Sequence, residues 1–171
     1  MKNSTKIIAL FVLVIAGLSV WSLQGKIQSS STSGASSSFN LAQIEIKETG
    51  YDFGSVSMRK GLVDYNYAVK NISSETLRVG EATTSCMCTT AFLSLEGGRE
   101  VGPFGMPGHG DSGLWKTANL KIEPNQVLNV RAVFDPAAHG PAGVGFIERE
   151  IYLDFGGSEP VVLSFKVNVT P

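Results

Sequence analysis

The two cysteines of this 171-residue chain, Cys86 and Cys88, are separated by a single residue. Because the chain has no other cysteine, this pair cannot belong to a larger disulfide framework. The two thiols can bond to each other, bind a ligand together, react with a second molecule, or remain free. Each of these possibilities implies a different function.

Further candidate ligands lie in two segments rich in glycine and proline. Met106 and His109 belong to the first segment, residues 96–120, and His139 belongs to the second, residues 135–145. Loops from different hairpins gather at one end of a β-sandwich, so these side chains could converge on the cysteines. We therefore predict a metal site built from Cys86, Cys88 and His109 and completed by either His139 or Met106.

The chemistry of these side chains favours a soft metal ion. In an extended segment alternate side chains share a face, so Cys86 and Cys88 would point the same way and Met87 would point away. Two thiolates bound to one ion lie at most about 4.6 Å apart, which such a segment permits. Thiolate with thioether favours Cu(I), whereas thiolate with imidazole also suits zinc. The predicted cofactor is thus Cu(I) or Zn(II), and the sequence predicts no other cofactor site.

Two other interpretations of the cysteines remain open. Free cysteine often packs as a small apolar side chain, and a histidine in a loop can simply bond to backbone carbonyls. Alternatively, Cys86 and Cys88 form a disulfide, which would be strained and easily reduced because its ring spans one intervening residue. The closest charge before the pair is the acidic Glu81 and the first cation after it is Arg99, so the sequence offers no adjacent cation to lower a thiol pKa. We therefore expect no catalytic residues.

The amino-terminal segment indicates export from the cytoplasm. Lys2 and Lys6 precede an uncharged apolar run, residues 7–23, which we interpret as a membrane anchor or a signal segment. Residues 1–6 would then be cytoplasmic, and the serine-rich residues 24–40 would form a flexible linker. The expected location is the periplasm or cell surface, attached to the membrane, or secreted if the run is cleaved.

Residues 41–171 are predicted to form one all-β domain. Seven segments show the alternation or turn boundaries of strands, which favours an immunoglobulin-like antiparallel sandwich of about seven strands, preceded by the amino-terminal hydrophobic helix. The sequence predicts a short helix-compatible stretch at residues 90–95 and an irregular loop at residues 96–120. Because two neighbouring cysteines cannot bridge two sheets, the core must consist of valine, isoleucine, leucine and phenylalanine.

The order of several motifs resembles a known bacterial family. The phrase Tyr51-Asp-Phe-Gly-Ser, then Ser85-Cys-Met-Cys-Thr, then Phe134-Asp-Pro is similar to the domain of unknown function 1573. The resemblance implies an exported immunoglobulin-like sandwich with no assigned biochemical role. This chain departs from the family pattern at Met87, where glycine is usual, and in the longer segment at residues 96–120.

Composition limits the classes of partner. The net charge of −1 and the lack of a basic cluster argue against nucleic acid, and no motif indicates a small-molecule substrate. We expect contact with a membrane through the amino-terminal segment and with an unidentified envelope protein. The sequence predicts a tethered module that binds a soft metal. The alternatives are an interaction domain with non-functional cysteines and a thiol–disulfide redox module.

Overall fold

Alternation of apolar and polar side chains produces ten strands in the computed structural model, which describes residues 39–108 and 116–171. The described residues contain no α-helix and only three short 3-10 turns. The strands are β1 (Ile44–Ile46), β2 (Gly50–Ser57), β3 (Val63–Asn71), β4 (Leu77–Thr84), β5 (Thr89–Leu95), β6 (Val101–Phe104), β7 (Thr117–Ile122), β8 (Val127–Phe134), β9 (Gly145–Asp154) and β10 (Val161–Thr170).

These strands form two five-stranded sheets. The first sheet has the order β1-β3-β8-β5-β6 and the second has the order β2-β10-β9-β4-β7. All neighbouring strands are antiparallel except β2 and β10, which are parallel. The all-β prediction is therefore confirmed. The expected count of about seven strands and the wholly antiparallel arrangement are wrong.

The three strands that the sequence analysis missed are β5, β6 and β7. Strand β5 contains the stretch predicted to be helix-compatible. That prediction was wrong because a short apolar run does not by itself distinguish helix from strand. Strand β6 lies within the predicted irregular loop, and β7 begins inside it and ends beyond it at Ile122. Each is at the edge of its sheet. Strand β6 contains Gly102 and Pro103, which are tolerated there because one side of the strand forms no ladder.

The inner faces of the two sheets form one hydrophobic core. Strand β10 alternates strictly, with Val161, Leu163, Phe165 and its later odd-numbered partners buried. Phe165 packs against Phe134 of the other sheet, with ring centroids 5.4 Å apart. The buried Tyr67 on β3 also spans the interface, since its hydroxyl donates to the Ser164 carbonyl at 2.7 Å. Both cysteines are free, so no disulfide joins the sheets.

The described part of the chain begins just before β1. Phe39 stacks on Phe155 with ring centroids 4.6 Å apart, and the Asn40 side chain accepts a hydrogen bond from the Ala42 amide at 3.0 Å. The predicted segments 1–6 and 7–23, and most of the predicted linker, lie outside the described residues. Within residues 39–108 and 116–171, no helix has the length and apolar character needed to cross a membrane.

Candidate functional site

The cysteines lie where the chain crosses from one sheet to the other. Strand β4 belongs to the second sheet and β5 to the first, so the residues between them cross one end of the sandwich. Ser85, at the start of this crossing, is fixed to β9: its amide donates to the Glu150 carbonyl, and its hydroxyl accepts from the Glu150 amide, both at 2.9 Å. The connection is therefore attached to the second sheet immediately before Cys86.

A buried threonine shapes the turn that contains both cysteines. The Thr84 hydroxyl lies 3.1 Å from the Cys86 carbonyl and 2.9 Å from the Thr89 carbonyl. The Thr89 amide closes the turn by donating to the Cys86 carbonyl at 3.1 Å. The two sulfur atoms are 2.7 Å apart, whereas the Met87 side chain is 52% exposed. The cysteine side chains meet because of a tight turn, and not because of the extended segment that we predicted.

His139 reaches the cysteines from the loop after β8. The Asp135 amide donates to the Cys88 carbonyl at 2.9 Å, which places the start of this loop beside the cysteine turn. The Asp135 carboxylate then accepts from the Ala137 amide at 2.8 Å, which bends the loop back. As a result, His139 Nε2 lies 3.2 Å from Cys86 Sγ, although 53 residues separate them in sequence. The histidine remains exposed to solvent.

An arginine that the sequence analysis did not consider completes the cluster. Arg149 on β9 donates from Nε to Cys88 Sγ at 3.3 Å. The expectation that no cation lies near the thiols is therefore wrong, because sheet pairing brings β9 to the end of the sandwich where the cysteines lie. One sequence signal could have revealed it. Ile147, Ile151 and Leu153 alternate along the inward face of β9, and Arg149 occupies the same phase.

These neighbours give the two thiols different acidities. For Cys86, partial burial raises the pKa, but hydrogen bonds from Cys88 and His139 and the positive charge of Arg149 outweigh it and lower the pKa to about 7. Burial and the hydrogen bond with Cys86 instead raise the pKa of Cys88, against a smaller opposing effect of Arg149. Cys86 is half-buried and Cys88 is only 4% exposed. Cys86 is thus the more acidic and more accessible thiol.

The structure brings together three of the five predicted ligands. One donor atom from each of Cys86, Cys88 and His139 lies within 4.8 Å of the others. Met106 is half-buried just after β6, where the Gly105 carbonyl accepts from the Thr84 amide at 3.2 Å. The segment carrying Met106 thus passes beside the end of β4. His109 lies outside the described residues, so its predicted role stays a prediction.

Several solved structures align with this chain at low sequence identity. A protein of unknown function from Porphyromonas gingivalis W83 aligns with a TM-score of 0.51 and 16% identity, over 76% of this chain and 49% of that protein. The VesB protease of Vibrio cholerae aligns with a TM-score of 0.45 and 13% identity, over 74% of this chain and 32% of that protein. PapD-like domain 7 of human CEP192 aligns with a TM-score of 0.40 and 11% identity, over 75% of this chain and 85% of that domain.

At 16% identity, the likeness to the Porphyromonas protein concerns the fold alone. This chain spans about half the length of the Porphyromonas protein. No curated protein sequence matches the chain.

A family match covers the first part of the sandwich. Residues 44–96 match the family described as protein of unknown function (DUF1573). The later Phe134-Asp-Pro phrase and most of residues 96–120 lie outside this match. The matched segment contains strands β1 to β5 and both cysteines. The resemblance to DUF1573 is therefore confirmed for the segment that carries the Cys-x-Cys pair.

Proposed function

We propose that this protein binds one soft metal ion, Cu(I) or Zn(II), at the end of its β-sandwich, through Cys86, Cys88 and His139. The observation that supports this role is the convergence of the two sulfurs and the imidazole nitrogen within 4.8 Å. The role is binding and not catalysis. The protein would hold the ion for a partner in the cell envelope.

The donor atoms fit a single ion with small adjustments. Two sulfurs on one metal are separated by at most about 4.6 Å, given metal–sulfur bonds of about 2.3 Å. The observed 2.7 Å between the cysteine sulfurs and 3.2 Å between Cys86 Sγ and His139 Nε2 are both below that limit. The exposed loop carrying His139 can move outward to admit the ion. Met106 and His109 are the candidates for a fourth ligand.

The test is elemental analysis of the purified, reduced chain after loading with Cu(I) or Zn(II) and removal of excess metal. We expect about one ion per chain in the parent, and loss of retention in Cys86→Ser and His139→Ala with unchanged β-sheet circular dichroism. Met106→Leu tests the fourth ligand, and Met87→Leu, at an exposed methionine, is its matched control. Parent-like retention by both Cys86→Ser and His139→Ala would show that the site is wrongly assigned.

A second candidate function, thiol–disulfide exchange, is favoured by the contact between Arg149 and Cys88. The accessible Cys86 has a pKa lowered to about 7, while the buried Cys88 has a raised pKa. An acidic outer thiol beside a protected inner thiol suits attack by the first and resolution by the second. Each reduction of a substrate disulfide would leave Cys86 and Cys88 joined as a disulfide. This function therefore predicts turnover in a disulfide-reduction assay with added dithiothreitol, which Cys88→Ser abolishes. Failure of the parent to reduce a model disulfide would exclude it.

The setting of the site belongs to the same proposal. Residues 7–23 would anchor the chain in a membrane, and the immunoglobulin-like domain would face the periplasm or the outside of the cell. Partition of the full chain into the membrane fraction, with protease access from the extracytoplasmic side only, is the expected result. No retained metal, together with thiols that react only after unfolding, would instead favour an envelope interaction domain with non-functional cysteines.

A further inference from the structure

Arg149 is an unusual neighbour for a cation-binding site. Its Nε atom donates to Cys88 Sγ at 3.3 Å, and its Nη1 atom donates to the Glu148 backbone carbonyl at 2.8 Å. Among the described residues, the salt bridges are Lys116–Glu81 and Arg131–Glu100, so no carboxylate pairs with Arg149. Its positive charge is therefore directed at the thiol pair and is not neutralised by an acidic side chain.

This charge changes the balance between candidate ions. Bound cysteines are thiolates and bound histidine is neutral, so the three ligands supply two negative charges. With the positive charge of Arg149, the empty site carries one negative charge. A monovalent ion brings the sum to zero, whereas a divalent ion leaves one excess positive charge at the end of an apolar core. We infer that Arg149 makes the site selective for Cu(I) over Zn(II), an inference that rests on the proposed metal site.

The ligand set acts in the same direction. The two thiolates are soft donors that favour Cu(I), whereas the imidazole of His139 suits either ion. Structural zinc sites are almost always four-coordinate and tetrahedral. The structure brings three donors together among the residues that it describes. The two thiolates therefore suit the monovalent ion, and the net charge favours it over the divalent one.

The distance sets the expected size of the effect. Arg149 Nε is 3.3 Å from Cys88 Sγ, and a metal–sulfur bond of about 2.3 Å then places the ion within about 6 Å of the guanidinium. At an effective dielectric constant of ~40, one extra unit of charge on the ion changes its affinity about tenfold at that distance. Removal of the arginine charge should raise the Zn(II) affinity relative to the Cu(I) affinity by about this factor.

The experiment measures both affinities of the reduced full chain by competition with chromophoric chelators, one for Cu(I) and one for Zn(II). The readout is the ratio of the two dissociation constants. Any loss of thiolate that follows from the missing arginine weakens both ions and cancels in this ratio. Arg149→Gln should shift the ratio about tenfold towards Zn(II). Arg149→Lys, which keeps the charge, and Arg78→Gln, at an exposed arginine on another strand, should leave it unchanged.

The outcomes separate this inference from the proposed function. Metal retention that depends on Cys86, together with the same ratio in Arg149→Gln and the parent, would overturn the inference and leave the metal site intact. A ratio that shifts equally in Arg149→Lys and Arg149→Gln would also overturn it, because shape and not charge would then be responsible. Retention of neither ion by the parent would overturn the proposed function itself. If Arg149→Gln does not fold, Arg149→Lys alone decides the question. A shifted ratio in Arg149→Lys would then overturn the inference.

Discussion

The acidity of Cys86 provides the sharpest test of the geometry around the thiols. Hydrogen bonds and the Arg149 charge lower its pKa from 9.0 to about 7, despite the opposing effect of partial burial. A lowered pKa means that the thiolate persists above pH 7 and is lost as the pH falls below it. At pH 7 about half of Cys86 should be thiolate, compared with about 1% for a thiol of ordinary acidity. Because a more acidic thiolate is also a weaker nucleophile, we expect Cys86 to be alkylated about 5–10-fold faster than an unperturbed cysteine at this pH.

The contribution of Arg149 can be estimated from distances in the site. Arg149 Nε is 3.3 Å from Cys88 Sγ, which is 2.7 Å from Cys86 Sγ, so the guanidinium lies within about 6 Å of Cys86. At an effective dielectric constant of ~40 this separation corresponds to about 1.4 kcal/mol, or about one pH unit. This dielectric constant lies between those of bulk water and a typical protein surface, as suits a half-buried thiol. Arg149→Gln should raise the Cys86 midpoint by about this amount.

The assay follows iodoacetamide labelling of the metal-free, reduced chain between pH 5 and 10, with mass spectrometry to assign each cysteine. In the parent, Cys86 should be modified first, with a midpoint near pH 7, and the buried Cys88 should lag behind it. His139→Ala and Cys88→Ala should also raise the Cys86 midpoint, because each removes a hydrogen bond. Labelling in guanidinium is the control and should make the two cysteines equivalent. A parent midpoint near pH 9, or no shift in Arg149→Gln, would refute this reasoning.

Three further predictions concern stability and can be measured by urea unfolding. Thr84→Val should lower the free energy of unfolding by about 1–3 kcal/mol and weaken metal retention, because the turn around Cys86 loses the hydroxyl proton that lies between the Cys86 and Thr89 carbonyls. Tyr67→Phe should cost about 1–2 kcal/mol by removing the hydrogen bond to Ser164 that joins the sheets, without affecting either thiol. Phe165→Ala should cost about 3–5 kcal/mol, since it leaves a cavity between the two sheets.

Each of these three predictions has a result that would contradict it. Thr90→Val, at the neighbouring, less buried threonine, is the control for Thr84→Val, and equal effects of the two would argue against a specific role of the Thr84 hydroxyl. An unchanged unfolding midpoint in Tyr67→Phe would mean that the hydrogen bond between the sheets contributes nothing. A cost below about 1 kcal/mol for Phe165→Ala would show that the core collapses around the missing ring.

The fold was predictable where the local pattern has one interpretation. Residues 63–70, 127–134, 147–155 and 161–169 alternate over enough positions for periodicity to predict strands. Strand β5 was ambiguous because its apolar run is short. Strand β7 is short and was obscured because it follows a glycine-rich run. Strand β6 was hidden by Gly102 and Pro103, whose effect on a strand depends on whether it lies at a sheet edge. That position is a property of the assembled sheet and cannot be read from the segment alone.

For the candidate site, the sequence by itself determined which soft donor atoms are available. The Cys-x-Cys spacing keeps two sulfurs near each other in any compact conformation, and the composition limits the remaining donors to two histidines and four methionines. Tertiary structure alone decided the neighbours of the thiols. His139 and Arg149 are 53 and 61 residues from their cysteine partners, and they arrive through the pairing of β8 with β5 and of β9 with β4. Strand register between distant segments is set by the burial of the whole core. For this reason the charge and acidity of the site follow from the fold and not from the motif.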